Sequence, residues 1–196
     1  MIKFKVVIAG DKSVGKTSLL RRYATGKFEK STLSTIGVDF ETKKINVDGV
    51  EILLNLWDFG GEKKFRLLFP SYVSGASGAL ILYDITNKES LLDLPNWIKL
   101  IENVTQPPRT KILIEHKIDL EDQREVSREE AMEIFNQYKF QGEILGTSAK
   151  TGQNIENAFE MLGRQILKNS LQKCLNCQKL YPVELKFCQY CGTKRY

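Results

Sequence analysis

"GDKSVGKTS", Gly10 to Ser18, follows the apolar run Phe4–Ala9 and leads into Leu19, Leu20 and a basic, helix-compatible segment. It fits G-x-x-x-x-G-K-[ST], a loop that wraps a polyphosphate between a strand and a helix. Gly10 and Gly15 let the backbone turn tightly and aim N–H groups at phosphate oxygens, and the following helix adds its positive end. Lys16 reaches the β- and γ-phosphates, and Thr17 offers a hydroxyl to Mg²⁺. The candidate nucleotide contacts here are Gly10, Asp11, Lys12, Ser13, Val14, Gly15, Lys16, Thr17 and Ser18. The plainer reading, a strand–helix turn that happens to hold glycine, is countered by the strand before the loop and the helix after it.

A chain of 196 residues is one ordinary domain with room for a small appendage. With 42% hydrophobic and 27% charged residues it is expected to be soluble and to bury a full core. No run approaches the roughly 18 apolar residues that a bilayer span needs. "MIKFKVVIAG" lacks a signal-peptide layout and is not Met-Gly, and the final "TKRY" carries no cysteine for prenylation. The expectation is a cytoplasmic protein without a lipid anchor, reaching a membrane only peripherally, through a partner.

Charge is unevenly spread. From Gly163 onward there are seven basic residues (Arg164, Lys168, Lys173, Lys179, Lys186, Lys194, Arg195) and one acid, Glu184. Subtracting these from 29 and 24 leaves 22 basic and 23 acidic residues, so the body is near neutral and the tail holds the excess. All four cysteines are in the tail too. The boundary is read near Asn169–Lys173, giving a body at residues 1–169 and a module at 170–196.

The body alternates strand and helix. "ETKKINV" and "EILLNLW" flank Asp48-Gly49 and are expected to pair antiparallel. "ALILYDI", "KILIEH" and "EILGTSA" are further strand-like runs. Ser127–Glu130, "SREE", is a capping box that opens "AMEIFNQY". Ile155, Phe159, Leu162 and Ile166 recur at helical spacing, and Pro95 is expected to break or kink "ESLLDLPNWIKLIEN". The fold class is α/β, a mostly parallel sheet covered on both faces. Ligands in such sheets bind at the carboxyl ends of the strands, where the phosphate loop emerges.

Four stretches follow the loop in order: "STIGVDF" (Ser34–Phe40), "WDFGGE" (Trp57–Glu62), "HKID" (His116–Asp119) and "TSAK" (Thr147–Lys150). Each is weak alone; their order and spacing are not accidental. Over about residues 3–168 the sequence resembles the Ras-like small GTPases, in their Rab-type form; "WDFGGEKKFR", "LYDITNKES" and "GTSAKTGQNIENAF" carry the likeness further. The resemblance implies a P-loop G domain with a six-stranded sheet and five helices, GTP/GDP and Mg²⁺ as ligands, and two switches. It implies Mg²⁺ at Thr17 and Thr35 with Asp58 acting through water, and γ-phosphate sensing by the N–H groups of Thr35 and Gly61. Phe28 would pack on the base, Asp119 would accept the guanine N1 and N2 hydrogens, Lys117 would lie along the ring and Ala149 N–H would meet O6, with Ser148 and Lys150 beside it. Effectors, an exchange factor and a GTPase-activating protein would dock on about residues 28–40 and 59–75.

The departures bear on hydrolysis. Glu62 stands where the family usually has the Gln that orients water, Lys12 where it prefers Gly or Ser, Ser13 where it has Gly, and His116 where it has Asn. Phe59 replaces a Thr and Gly60 an Ala. The candidate catalytic set is Lys16, Thr35, Glu62 and Lys12. Lys12 could pair with Glu62, or place its charge on the γ-phosphate as a partial substitute for an arginine finger; in the plainer reading both point into solvent. Slow hydrolysis is the expectation.

The tail reads "CLNCQKLYPVELKFCQYCG", a C-x-x-C–x10–C-x-x-C array in which Cys174, Cys177, Cys188 and Cys191 give Zn²⁺ four sulfurs. The alternative is redox or structural disulfides, disfavoured in a reducing compartment. If the cysteines hold zinc they carry no lipid, and the basic module is free to dock on a protein, a nucleic acid or an anionic surface. Two classes of function stay open: a GTP-driven switch with slow hydrolysis, or a GTP-loaded adaptor whose zinc ribbon does the binding.

Overall fold

The computed structural model describes residues 2–28, 37–60, 66 and 68–194. Six strands form one sheet: β1 (Ile2–Ala9), β2 (Val38–Val47), β3 (Val50–Phe59), β4 (Gly78–Asp84), β5 (Thr110–His116) and β6 (Leu145–Thr147). Their order is β2-β3-β1-β4-β5-β6. Only β2 runs antiparallel, in the Asp48-Gly49 hairpin, where Val47 pairs with Val50 and both turn residues take positive φ (50 and 82). That is the backbone a two-residue turn needs to match strand twist. In the "EILGTSA" run only Leu145–Thr147 pairs, against Ile114–His116.

Side chains alternate across each strand, so every interior strand feeds two cores. Val6 and Ile8 of β1 and Leu80 and Leu82 of β4 meet α1 (Lys16–Thr25) and α6 (Ile155–Ser170) on one face. Tyr23 and Phe159 stack there with centroids 3.7 Å apart. Val7 and Ala9, with Ile81 and Tyr83, meet α2 (Phe69–Val73), α3 (Lys88–Leu92), α4 (Leu94–Glu102) and α5 (Arg128–Gln137) on the other. Burial on both faces is why β4, "GALILYD", is uniformly apolar up to its terminal aspartate.

The expected break at Pro95 is present. α3 ends at Leu92, Asp93 serves as the elbow, and Pro95 lies in the first turn of α4, where it has no intrahelical N–H to lose. The family's expected five helices are therefore six among the described residues. The capping box at Ser127 and Glu130 closes reciprocally, with bonds of 3.1 and 3.0 Å.

α6 runs without a linker into β7 (Leu171–Lys173), which pairs antiparallel with β8 (Leu180–Pro182). Asn169 Nδ2 donates to Thr110 Oγ1 (2.9 Å), Val183 N–H donates to Ser170 O (3.0 Å), and Arg109 pairs with Glu184 (3.2 Å).

Candidate nucleotide site and candidate metal centre

Strand register assembles the site. Ile8 lies beside Asp58, Ala9 beside Ile81, Asp84 beside His116, and His116 beside Thr147. The carboxyl ends of five strands thus bring the glycine loop, Asp58 and the segments that begin at His116 and Thr147 to one edge of the sheet.

Lys16 opens α1 and is 5% exposed; its ammonium donates to the carbonyls of Gly10 (2.8 Å) and Asp11 (2.7 Å), spanning the loop. Burial lowers its pKa to about 8, against the pull of Asp58 and Asp11. Asp58 is fully buried; Thr17 Oγ1 donates to its Oδ2, and its Oδ1 has no partner among the described residues. Burial pushes this carboxyl up to about 6. A hydroxyl and a carboxylate with an unused buried oxygen form an all-oxygen donor set that fits a hard cation such as Mg²⁺. Ser13 takes φ 64, a left-handed conformation that suits the glycine the resemblance predicts there.

His116 is 2% exposed, with Nδ1 2.7 Å from Thr147 Oγ1. Its ring closes on the phosphate loop: a β-carbon added to Gly15, already at φ 99, would lie 2.5 Å from His116 Cδ2. Burial first, then Lys117, holds its pKa down to about 4, so the imidazole is neutral at physiological pH.

A cleft of about 430 Å³ opens beside this ring, bounded by Phe28, Lys117, Asp119, Ala149 and Lys150. Asp119 is held by Ser148 Oγ, which donates to Oδ1 at 2.6 Å, with Lys150 Nζ 3.8 Å from Oδ2. Lys117, at φ 65, donates to Asp84 at 2.5 Å. A carboxylate fixed at the wall of an apolar slot can accept two parallel donors from a planar heterocycle.

Lys12 is exposed, and its backbone N–H donates to Asp11 Oδ1 at 2.7 Å. Thr35, Gly61 and Glu62 lie outside the described residues, and with them the Lys12–Glu62 reading. Arg66, Asp93 and Trp97 escaped the sequence reading. Arg66 donates to Asp11 Oδ1 (3.3 Å) and grips both oxygens of Asp93, while its guanidinium lies 4.5 Å from the Trp97 ring centroid. Asp93 and Trp97 share the first turn of α4, but Arg66 and Asp11 lie far from them in sequence, and no spacing rule joins the three segments.

The tail cysteines form one cluster of free thiols whose four Sγ atoms lie within 4.8 Å of one another. Cys174–Cys191 and Cys177–Cys188 are 3.6 Å apart, near the ~3.8 Å edge of a tetrahedron with Zn–S of about 2.3 Å and far beyond a disulfide. The two loops are built alike. Gln178 N–H donates to Cys174 O and Gly192 N–H to Cys188 O, while Cys174 N–H donates to Lys179 O and Cys188 N–H to Thr193 O. Gly192 (φ 72) and Gln178 (φ 60) occupy the same left-handed position. The donor set fits Zn²⁺.

The fold and these two sites define a P-loop nucleotide-binding protein with a cysteine-rich appendage. Residues 5–168 match the Ras family. The chain is 34% identical over 193 residues to Ras-related protein Rab-13 of Canis lupus familiaris, covering 98% of this chain and 94% of that one. It is 39% identical over 163 residues to Ras-related protein Rab-8A of Gallus gallus (83% and 78%) and 38% identical over 164 to Ras-related protein Rab-8B of Homo sapiens (84% and 78%). The chain belongs to the Ras family, as a small GTPase of Rab type that hydrolyses GTP to GDP.

Proposed function

We propose that this chain is a Mg²⁺-dependent GTP/GDP switch in intracellular trafficking or signalling, with slow intrinsic hydrolysis and a zinc-held tail. The observation that carries it is the pairing of Thr17 with Asp58, whose buried Oδ1 has no partner among the described residues. In this reading Thr17, Thr35 and Asp58 hold Mg²⁺, which neutralises phosphate charge when bound. Lys16 and the loop amides bind the polyphosphate. Asp119 takes the guanine N1 and N2 hydrogens, Ala149 N–H meets O6, and Phe28 and Lys117 flank the base.

Hydrolysis is slow in this reading because a carboxylate at Glu62 orients water poorly beside the γ-phosphate, and Lys12 relieves part of that repulsion as a point charge. Effectors, an exchange factor and a GTPase-activating protein dock on about residues 28–40 and 59–75. Residues 1–169 act as the G domain and 170–196 as the zinc module, with Cys174, Cys177, Cys188 and Cys191 as ligands.

The adaptor reading is favoured by one observation, the matched pair of loops around the four sulfurs. Nucleotide extracted from purified protein before and after long incubation separates the two: GDP supports the switch, persistent GTP the adaptor. Calorimetry in which guanosine nucleotides bind no more tightly than adenosine ones refutes both.

A further inference from the structure

The cysteine cluster carries two loops whose outer side chains stand in solvent. Leu175, between Cys174 and Cys177, is 82% exposed, and Tyr190, between Cys188 and Cys191, is 53% exposed. Because the four sulfurs lie within 4.8 Å, both tips project from one small hub. Phe187, 54% exposed, enters the second loop and bridges to Lys194. With Leu185 these make four of the nine large apolar side chains exposed among the described residues, so such surface is concentrated in the tail. The module's own interior is Tyr181 with Cys174 and Cys188, and uses none of them.

The module is also rich in exposed cations. Lys173, Lys179, Lys186 and Lys194 are exposed, and Lys179 Nζ lies 5.0 Å from the Tyr190 ring centroid. Glu184, the only acid after Gly163, faces Arg109 of the body at 3.2 Å. The module is tied to Arg109, just before β5, by Glu184 and to Ser170, at the end of α6, by Val183. His116 closes β5 at the nucleotide edge, about 20 Å away at roughly 3.3 Å per residue.

We infer that the module is a peripheral membrane foot. Leu175, Phe187 and Tyr190 enter the headgroup layer of an anionic bilayer, and the lysines meet lipid phosphates. The nucleotide edge, at the other end of β5, stays in water. Exposed apolar tips in a module of exposed lysines match the interface, where stems bury and charged heads stay wet. Nucleic acid fits less well: the most exposed tip is an aliphatic leucine that can neither stack on a base nor hydrogen-bond to one. A protein partner would more often meet a pocket, and these tips are protrusions. The inference rests on the zinc reading, because metal fixes the two loops on one hub.

The test uses the full-length, GDP-loaded protein with its zinc content measured. Flotation compares neutral phosphatidylcholine vesicles with vesicles holding roughly a third phosphatidylserine. Binding to the anionic vesicles alone is expected. It should fall about fivefold for each of Lys179→Ala and Lys186→Ala, about tenfold for Leu175→Ser with Tyr190→Ser, and sharply in high salt. A chain carrying one zinc that ignores anionic vesicles, or binds them equally after the Leu175 and Tyr190 changes, overturns the foot and leaves the zinc reading standing. Capture of random-sequence RNA at concentrations where vesicles are ignored also overturns it, in favour of nucleic acid. A chain that purifies without zinc removes the metal reading, and the foot with it.

Discussion

His116 packs its imidazole against Gly15 so closely that a β-carbon at residue 15 would overlap the ring, while Nδ1 meets Thr147 Oγ1 at 2.7 Å. One buried side chain thus ties the Gly10–Ser18 loop to the segment that lines the cleft beside Asp119.

That contact has a pH signature. Burial lowers the folded-state pKa to about 4 from 6.5, so between those values the unfolded chain binds a proton that the folded chain refuses. Stability from this group is intact above pH 6.5 and falls by about 1.4 kcal/mol per pH unit as pH drops towards 4. His116→Asn removes the titration. Urea unfolding of the GDP-bound proteins should therefore show the wild type losing ground to the variant below pH 6.5; parallel pH profiles would refute the assignment.

Arg66 is a second cross-brace. It joins Asp11 of the phosphate loop to the Asp93 elbow over Trp97, with its side chain 14% exposed. It also explains how an acid is tolerated in a loop built for phosphate, because the Asp11 carboxylate is engaged by a guanidinium. Arg66→Ala should destabilise the protein by about 2–4 kcal/mol, because it removes the guanidinium that two partly buried carboxylates share. Arg66→Lys should recover less than half, since an ammonium cannot grip both Asp93 oxygens. Chemical denaturation of the two variants checks this, and equal stability for both would argue against the bidentate grip.

At the left-handed position that the two matched tail loops share, one carries Gln178 and the other Gly192. A non-glycine residue in the left-handed region costs roughly 1–2 kcal/mol. Gln178→Gly should therefore tighten zinc about fivefold or more, and Gly192→Gln should weaken it comparably. Competition with a chromogenic chelator reads both; identical affinities would mean the loops do not share the turn.

Hydrolysis tests the Glu62 and Lys12 reading. Single-turnover GTP cleavage is expected to speed up by roughly tenfold in Glu62→Gln, a small part of the 10³–10⁵ that an arginine finger supplies. Lys12→Gly alone should slow it. Unchanged rates in both would strip the pair of catalytic meaning.

Much of this protein is legible in one dimension. Where a rule links residues close in the chain, it holds: the phosphate loop and its flanking strand and helix, the Asp48-Gly49 hairpin, the Ser127 capping box and the Pro95 break all rest on local backbone chemistry. The paired C-x-x-C spacings announced the sulfur cluster for the same reason. What the chain could not disclose was distance across elements. The closure of His116 on Gly15, the Arg66 brace to Asp11 and Asp93, and the tail's Glu184 against Arg109 all join residues far apart in sequence. Strand register and helix packing set those approaches, because a side chain's neighbours depend on which strands pair and on which face each residue emerges.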